Sequence, residues 1–234
     1  MQGVSFSYST KLRNIIFASN TEKMEKEVNA ALRQYIEDEI IPRYRHFDKG
    51  HSEEHVRTVI SQALELSCHY DVDVNMIYAA AAYHDTGICE GRELHHIVSG
   101  RIIREDAQLL RWFSPEQVEA VAQAAEDHRA SGKGEPRSIY GRIIAEADRD
   151  IIPMKIIRRT IQFGLDHYPE LDREGHWQRT LEHLHEKYAE GGYLKLWIPE
   201  SPNRARLEQL RGIIRDTEQL RTLFDSIFDE ERSR

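Results

Sequence analysis

Asp73-Val74-Asn75-Met76-Ile77-Tyr78-Ala79-Ala80-Ala81-Ala82-Tyr83-His84-Asp85 reads as a helix that is apolar on every side and ends in an imidazole and a carboxylate. The alanine run has high helix propensity, and Asp73 is a suitable cap for a helix from position 75 to about 84. A helix with no polar face is buried all round, and the apolar block 76–83 is too short to cross a bilayer. It therefore belongs at the centre of a helical bundle. Burying His84 and Asp85 at its end is unfavourable unless something neutralises them. A transition-metal cation would do so, because neutral imidazole and ionised carboxylate are ordinary ligands for zinc, manganese and iron. A core histidine hydrogen-bonded to a helix-ending carboxylate is the alternative.

Outward from this helix, no segment alternates apolar and polar residues convincingly over five or more positions, and the periodicity is helical nearly throughout. Asn20-Thr21-Glu22 opens a helix carrying Met24, Val28, Ala31, Leu32, Tyr35, Ile36 and Ile40, which Pro42 ends. Ser52 caps a second helix with Val56, Val59, Ile60, Ala63 and Leu66 along it. Further helices are predicted over 93–110, 115–128, 137–148, 153–165 and 173–188, with Ser114-Pro115-Glu116 as a clear start signal. Gly132-Lys133-Gly134-Glu135-Pro136 is a loop, and Gly191-Gly192 breaks the chain before a short segment to Ile198. That segment would either cover a cavity or return the chain to the core. A last helix over 203–228 sets Leu207, Leu210, Ile214, Thr217, Leu220 and Phe224 in one stripe, which docks on its own core or pairs with a second copy. The fold class is all-α: a helical bundle over 47–152, an N-terminal helical extension over 1–46, and a C-terminal helical region over 153–234 packed on the core.

The 12 histidines are the compositional outlier. His51 and His55 stand four apart and so share a helix face. His95-His96 begins the helix after Gly91, His128 closes the helix from Pro115, and Asp148 closes the apolar run from Ile139. Each lies at a helix end beside apolar residues, and helix ends in a bundle can converge on one cavity, as carboxylate and histidine metal sites require. His167, His176, His183 and His185 lack this placement, and the helix carrying the last three reads as solvent-facing. Trp112, Phe113 and Trp197 read as packing aromatics, and Asp48 as a support for a ligand histidine or a plain turn residue.

The order His55, His84-Asp85, His95, His128, Asp148 resembles the HD superfamily of metal-dependent phosphohydrolases. Gly50-His51-Ser52-Glu53-Glu54-His55-Val56 is similar to its first-histidine helix, Tyr83-His84-Asp85-Thr86-Gly87 to its His-Asp turn, and Ala147-Asp148-Arg149 to its last-aspartate element. His95-His96-Ile97-Val98-Ser99-Gly100 and Asp127-His128-Arg129 resemble the two further histidine elements of members with two metals. The resemblance implies an HD-type bundle with His55, His84, Asp85, His95, His128 and Asp148 as ligands of one or two divalent transition metals, whether iron, manganese, nickel or zinc. Asp85 would bridge two such ions, and a water shared between them would ionise near pH ~7. The implied activity is hydrolysis of a phosphoester or phosphoanhydride in a small nucleotide or phosphorylated metabolite, with Asp85, His96 and Arg149 as catalytic candidates. His51, Glu54 and Asp127 join His96 as candidate proton donors. Several two-metal members carry a lysine three positions after the aspartate, where this chain has Ile88, so either phosphate recognition comes from elsewhere, with Arg129, Lys133, Arg137, Arg142 and above all Arg149 as candidates, or the substrate is not a phosphate ester. Alternatives are an HD-type di-iron oxygenase and a non-catalytic regulatory module.

A chain that is 40% apolar and 31% charged can bury a core in water. The net charge of −8 argues against nucleic acid or a membrane surface as partner, since both call for a basic face. The expected partner is a small molecule, phosphorylated, with the C-terminal stripe as the candidate surface for a homodimer. Two cysteines, Cys68 and Cys89, make no disulfide framework, and with no apolar leader the expected location is the cytoplasm.

Overall fold

The computed structural model of the protein describes residues 27–47, 49–129 and 134–233. Among them there is no strand, and ten α-helices follow one another: α1 (Ala30–Tyr35), α2 (Glu53–Ser67), α3 (Val74–Tyr83), α4 (His95–Glu105), α5 (Pro115–Asp127), α6 (Ile139–Ala147), α7 (Pro153–His167), α8 (Arg173–Tyr188), α9 (Asn203–Arg215) and α10 (Thr217–Arg232). The all-α class follows directly.

The helix start expected at Asn20 and the inward Met24 lie outside the described residues. Within them α1 begins at Asn29, whose side chain accepts from the N–H groups of Ala31 and Leu32. Pro42 does not stop the chain's winding. Instead α1 widens into a π-helical turn (Ile36–Ile40) and tightens into a 3-10 stretch (Ile41–His46) with Pro42 in its first turn. Proline fits there because first-turn positions need no N–H donor. The change of winding turns Ile36, Ile40, Ile41 and Tyr44 all inward.

Helix α3 is the axis of the first core. Asp73 caps it by accepting from the Asn75 N–H, and Asn75 alone among its residues is not buried. Helices α2, α5 and α6 and the π-helical turn pack around it. Each isoleucine or leucine taken fully from water in this core contributes ~1.5–3 kcal/mol. The helix expected over 93–110 is two pieces, because Asp106 leaves α4 and opens a 3-10 turn (Ala107–Arg111) by accepting from the Gln108 N–H. Its other carboxylate oxygen accepts the hydroxyls of Tyr35 and Tyr83 at 2.6 and 2.5 Å, which pins the break to the core.

A second core gathers Ile151, Ile157, Trp177, Leu184, Leu210, Leu220, Phe224 and Phe228 between α7, α8, α9 and α10. The single last helix expected over 203–228 is broken at Asp216, whose side chain caps α10 by accepting from the Gln219 N–H. The break folds both halves of the stripe onto one core: Leu207, Leu210, Ile214, Leu220 and Phe224 are buried, and Thr217 is exposed. The stripe that sequence periodicity offered to a second copy is thus covered by the chain's own helices. The two cores are tied together at Glu146, which is fully buried. Its carboxylate accepts from the Trp197 N–H at 3.0 Å and from Asn203 Nδ2 at 3.2 Å, and Asn203 also donates to the Arg149 carbonyl at 3.0 Å. With Trp197 held there and Leu194 and Ile198 buried, the segment after Gly192 returns the chain to the core.

Candidate metal centre

His84 caps the end of α3, and Asp85 turns away at φ −110 and ψ 7. Tyr44, from the 3-10 stretch, holds this turn: its hydroxyl donates to the Ala82 carbonyl at 2.8 Å and accepts from the Asp85 N–H at 3.3 Å. Thr86 Oγ1 donates to the Tyr83 carbonyl at 2.7 Å, and the Gly87 N–H donates to Ser99 Oγ at 2.9 Å. A Cβ on Gly87 would stand 2.1 Å from the His95 carbonyl oxygen, so only glycine lets α4 come this close. That approach delivers His95 to Asp85.

Five helix ends then meet. His84 Nε2 and His55 Nε2 lie 3.0 and 3.6 Å from Asp85 Oδ2. His95 Nε2 and His128 Nε2 lie 3.2 and 3.4 Å from the other oxygen, Oδ1. Asp148 Oδ1 completes the first side at 3.1 Å from His55 Nε2 and 3.7 Å from His84 Nε2. Two groups of donor atoms result, His55-His84-Asp85-Asp148 and Asp85-His95-His128, each compact enough to hold one metal ion. All six residues singled out as ligands in the sequence therefore come together.

The ring tautomers follow from their neighbours. Nδ1 of His84, His95 and His128 lies 2.8, 2.7 and 2.6 Å from the carbonyl oxygens of Ala81, Arg92 and Ala125. A carbonyl only accepts, so each Nδ1 carries a proton and Nε2 is the atom that presents a lone pair when the ring is neutral. His84 Nε2 is buried without a hydrogen-bond partner, its approach to Asp85 Oδ2 not being directed as one. Two further lone pairs face each other where His95 Nε2 and His128 Nε2 stand 3.0 Å apart. Bare nitrogens and two carboxylates around a common space fit a divalent cation, which satisfies all of them at once.

The charges agree. Burial opposes ionisation of Asp85, but His84, His55 and His95 outweigh it and hold its carboxyl well below the usual range. Asp148 is likewise held far down by His55 and His84 against its burial. Burial would lower His55, yet the carboxylates of Asp148 and Asp85 raise it to about 9. Burial dominates at His128 and pushes it down to about 4. The cluster has carboxylate charge to spare and draws in positive charge, whether protons or a metal.

A cavity of about 460 Å³ opens onto the cluster, lined by Asp85, His55, His95, His128 and Asp148 together with His51, Glu54, Arg129, Arg149, Lys155 and Arg159. Arg149 is 9% exposed and its Nη1 lies 3.4 Å from Glu146 Oε2, so the buried glutamate holds it from behind. His96, expected at the chemistry, is not among the lining residues. One helix residue beyond His95 it points about 100° away, and its ring packs 5.7 and 6.4 Å from those of His95 and His128. Asp127 is committed to Arg137, which also binds Glu126, and Arg142 is committed to Glu135. Arg129 lines the cavity while donating to the carbonyls of Arg92 and Glu93. Asp48 and Lys133 lie outside the described residues. The solvent-facing reading of 173–188 needs correction: His176 is buried, His183 is half-buried, and only His185 is exposed. Sequence reading also passed over Tyr44, Glu146, Lys155 and Arg159. Only the apolar company of Glu146 in Ile143-Ile144-Ala145-Glu146-Ala147 could have flagged one of them.

An all-α bundle whose central buried helix ends in a His-Asp pair, ringed by three more histidines and a distant aspartate, defines a helical domain with a donor set that could hold a metal. Residues 53–150 match the family model described as HD domain, a superfamily made up largely of metal-dependent phosphohydrolases. Comparison with curated proteins and with solved structures gave no significant match. No helix among the described residues is long and apolar enough to cross a membrane.

Proposed function

We propose that this chain is a metal-dependent hydrolase of a phosphoester or phosphoanhydride in a small nucleotide or phosphorylated metabolite. In this reading His55, His84, Asp85 and Asp148 hold one divalent metal, and Asp85, His95 and His128 hold a second. The carrying observation is the division of Asp85: one oxygen faces His55 and His84, the other faces His95 and His128. A carboxylate placed in this way suits a bridge. Iron, manganese, nickel and zinc all accept such a mix of nitrogen and oxygen donors. Bound there, the metal would supply Lewis acidity and lower the pKa of a water towards ~7.

The chain's own residues do the rest. Arg149, held by Glu146 at the cavity wall, meets phosphoryl oxygens, with Arg129 beside it. His51 delivers a proton to the leaving group; its ring lies 5.9 Å from that of His95 and it lines the cavity, whereas Asp127 is tied to Arg137 and His96 lies off the cavity. The same proposal keeps the division of the chain at residues 46 and 152, with the C-terminal region closing one side of the cavity through Lys155 and Arg159.

The test measures metal-to-protein ratio and manganese-supported hydrolysis of generic phosphoesters in the purified chain. Asp85→Ala is expected to lose bound metal and to lower turnover at least ~10³-fold, the scale of removing a principal electrostatic group. His96→Ala is expected to keep its metal. Unchanged metal content in Asp85→Ala sinks the assignment. Bound iron with oxygen uptake and no hydrolysis replaces the hydrolase with the oxygenase.

A further inference from the structure

A second cavity, about 640 Å³, opens between α7 and α8, and Asp148, Arg149, Asp150 and Arg159 line both it and the cavity of the metal centre. Most of its wall lies beyond residue 150, outside the segment that matches the HD domain. Five cationic or basic side chains face it: Arg149, Arg159, Arg179, His183 and Lys187.

These groups are built in rather than strewn over a surface. The Arg179 guanidinium lies 5.3 and 5.4 Å from the ring centroids of Phe163 and Tyr168, and its Nη2 donates to the Thr160 carbonyl at 2.9 Å. Its Nε is buried without a hydrogen-bond partner, and so is Nη2 of Arg149, on a side chain only 9% exposed. Lys187 is half-buried and makes no ion pair among the described residues; burial, and then the charge of Arg149, pull it below its ordinary value. Glu146 offsets Arg149 from behind, and the carboxylates of the cavity wall do not pair with the other cations. Asp148 faces His55 and His84, and Asp150 pairs with Lys155. Glu182 and Glu186 stand exposed and form no ion pair with these cations. Like charges gathered in a partly desolvated space repel unless an anion sits among them. A guanidinium already fixed between two rings loses little further freedom when it binds one.

We propose that this cavity is a second anion subsite, which takes a phosphate of the substrate remote from the bond broken at the metal centre. The substrate then carries two separate phosphoryl groups, and Arg149 stands between their sites. This rests on the hydrolase reading for what happens at the first phosphate, but the binding itself needs no turnover.

The test is calorimetric titration of the full chain with inorganic tripolyphosphate at low salt, comparing wild type, Lys187→Gln, Arg179→Gln and Asp85→Ala. Thermal melts confirm that each is folded, and Lys187→Gln carries the test if Arg179→Gln is not. Binding to wild type is expected, weakened about tenfold, or ~1.4 kcal/mol, by either cavity substitution, and within about threefold of wild type in Asp85→Ala. No binding to wild type, or binding lost in Asp85→Ala but unchanged in Lys187→Gln, overturns the subsite. A wild-type chain that binds tripolyphosphate in this pattern yet hydrolyses no phosphoester supports the subsite and sinks only the hydrolase reading.

Discussion

Both halves of the molecule bury histidines, and only one half surrounds them with carboxylates. His84, His95 and His128 each hold a backbone carbonyl with Nδ1 and turn Nε2 towards Asp85. His176 is 3% exposed, packed 5.5 Å from the Phe228 ring, and its Nδ1 has no hydrogen-bond partner. No carboxylate pairs with it among the described residues, and burial followed by Arg179 pulls its pKa down. Burial of an imidazole is thus no sign of a site by itself. What distinguishes the first half is that carbonyls fix the tautomer and carboxylates supply the charge.

The contrast breaks first on metal content. His84→Ala is expected to weaken metal retention more than ~100-fold, beyond the usual loss of an outer partner, whereas His176→Leu leaves the metal-to-protein ratio at the wild-type value. Equal ratios in the two variants would remove the difference on which the comparison stands. His176→Leu should also melt no lower than wild type, since it deletes a buried polar group without a partner.

A second contrast sharpens the role of close packing. Gly87→Ala would set a Cβ 2.1 Å from the His95 carbonyl, and is expected to destabilise by about 3 kcal/mol, the upper range for overpacking. Gly212→Ala, in α9, meets nothing within 4 Å and should stabilise by up to about 1 kcal/mol through helix propensity. Denaturant titration checks both. A neutral Gly87→Ala would mean that α4 does not need this approach to place His95.

A third contrast is in pH. In chelator-treated protein, His55 is raised to about 9, so its contribution is complete below the unfolded value of about 6.5 and fades as pH rises through 9. His128 is lowered to about 4, so its contribution is present above about 6.5 and is lost as pH falls through 4. Melting temperature should therefore peak near pH ~6.5. His128→Asn should flatten the acid side by about 3.5 kcal/mol, the fall from about 6.5 to about 4 at ~1.4 kcal/mol per unit. His176→Leu should flatten it less, and an acid flank unaffected by His128→Asn would show that other groups govern it.

Much of this was legible in residues alone. Apolar periodicity located α2, α3, α5 and α8, because capping and burial act through neighbours a few positions away. The breaks at Asp106 and Asp216 were not legible. Asp106 leaves its helix for the hydroxyls of Tyr35 and Tyr83, at least 23 positions away, and Asp216 breaks a helix that the stripe on both sides would otherwise continue. His96 misled for a related reason: adjacent positions on a helix share chemistry but not direction.

The amino-acid order alone determined that the chain is helical, that its middle helix is buried, and that imidazoles and carboxylates stand at helix ends. Those are consequences of local propensity and periodicity. Only tertiary structure decided that Asp85 divides its oxygens between two pairs of histidines, that Tyr44 and Gly87 hold the turn, and that Arg149, Arg179 and Lys187 share a cavity. Those facts depend on how helices far apart in sequence rotate and approach when their apolar faces pack, and no short stretch of sequence carries that information.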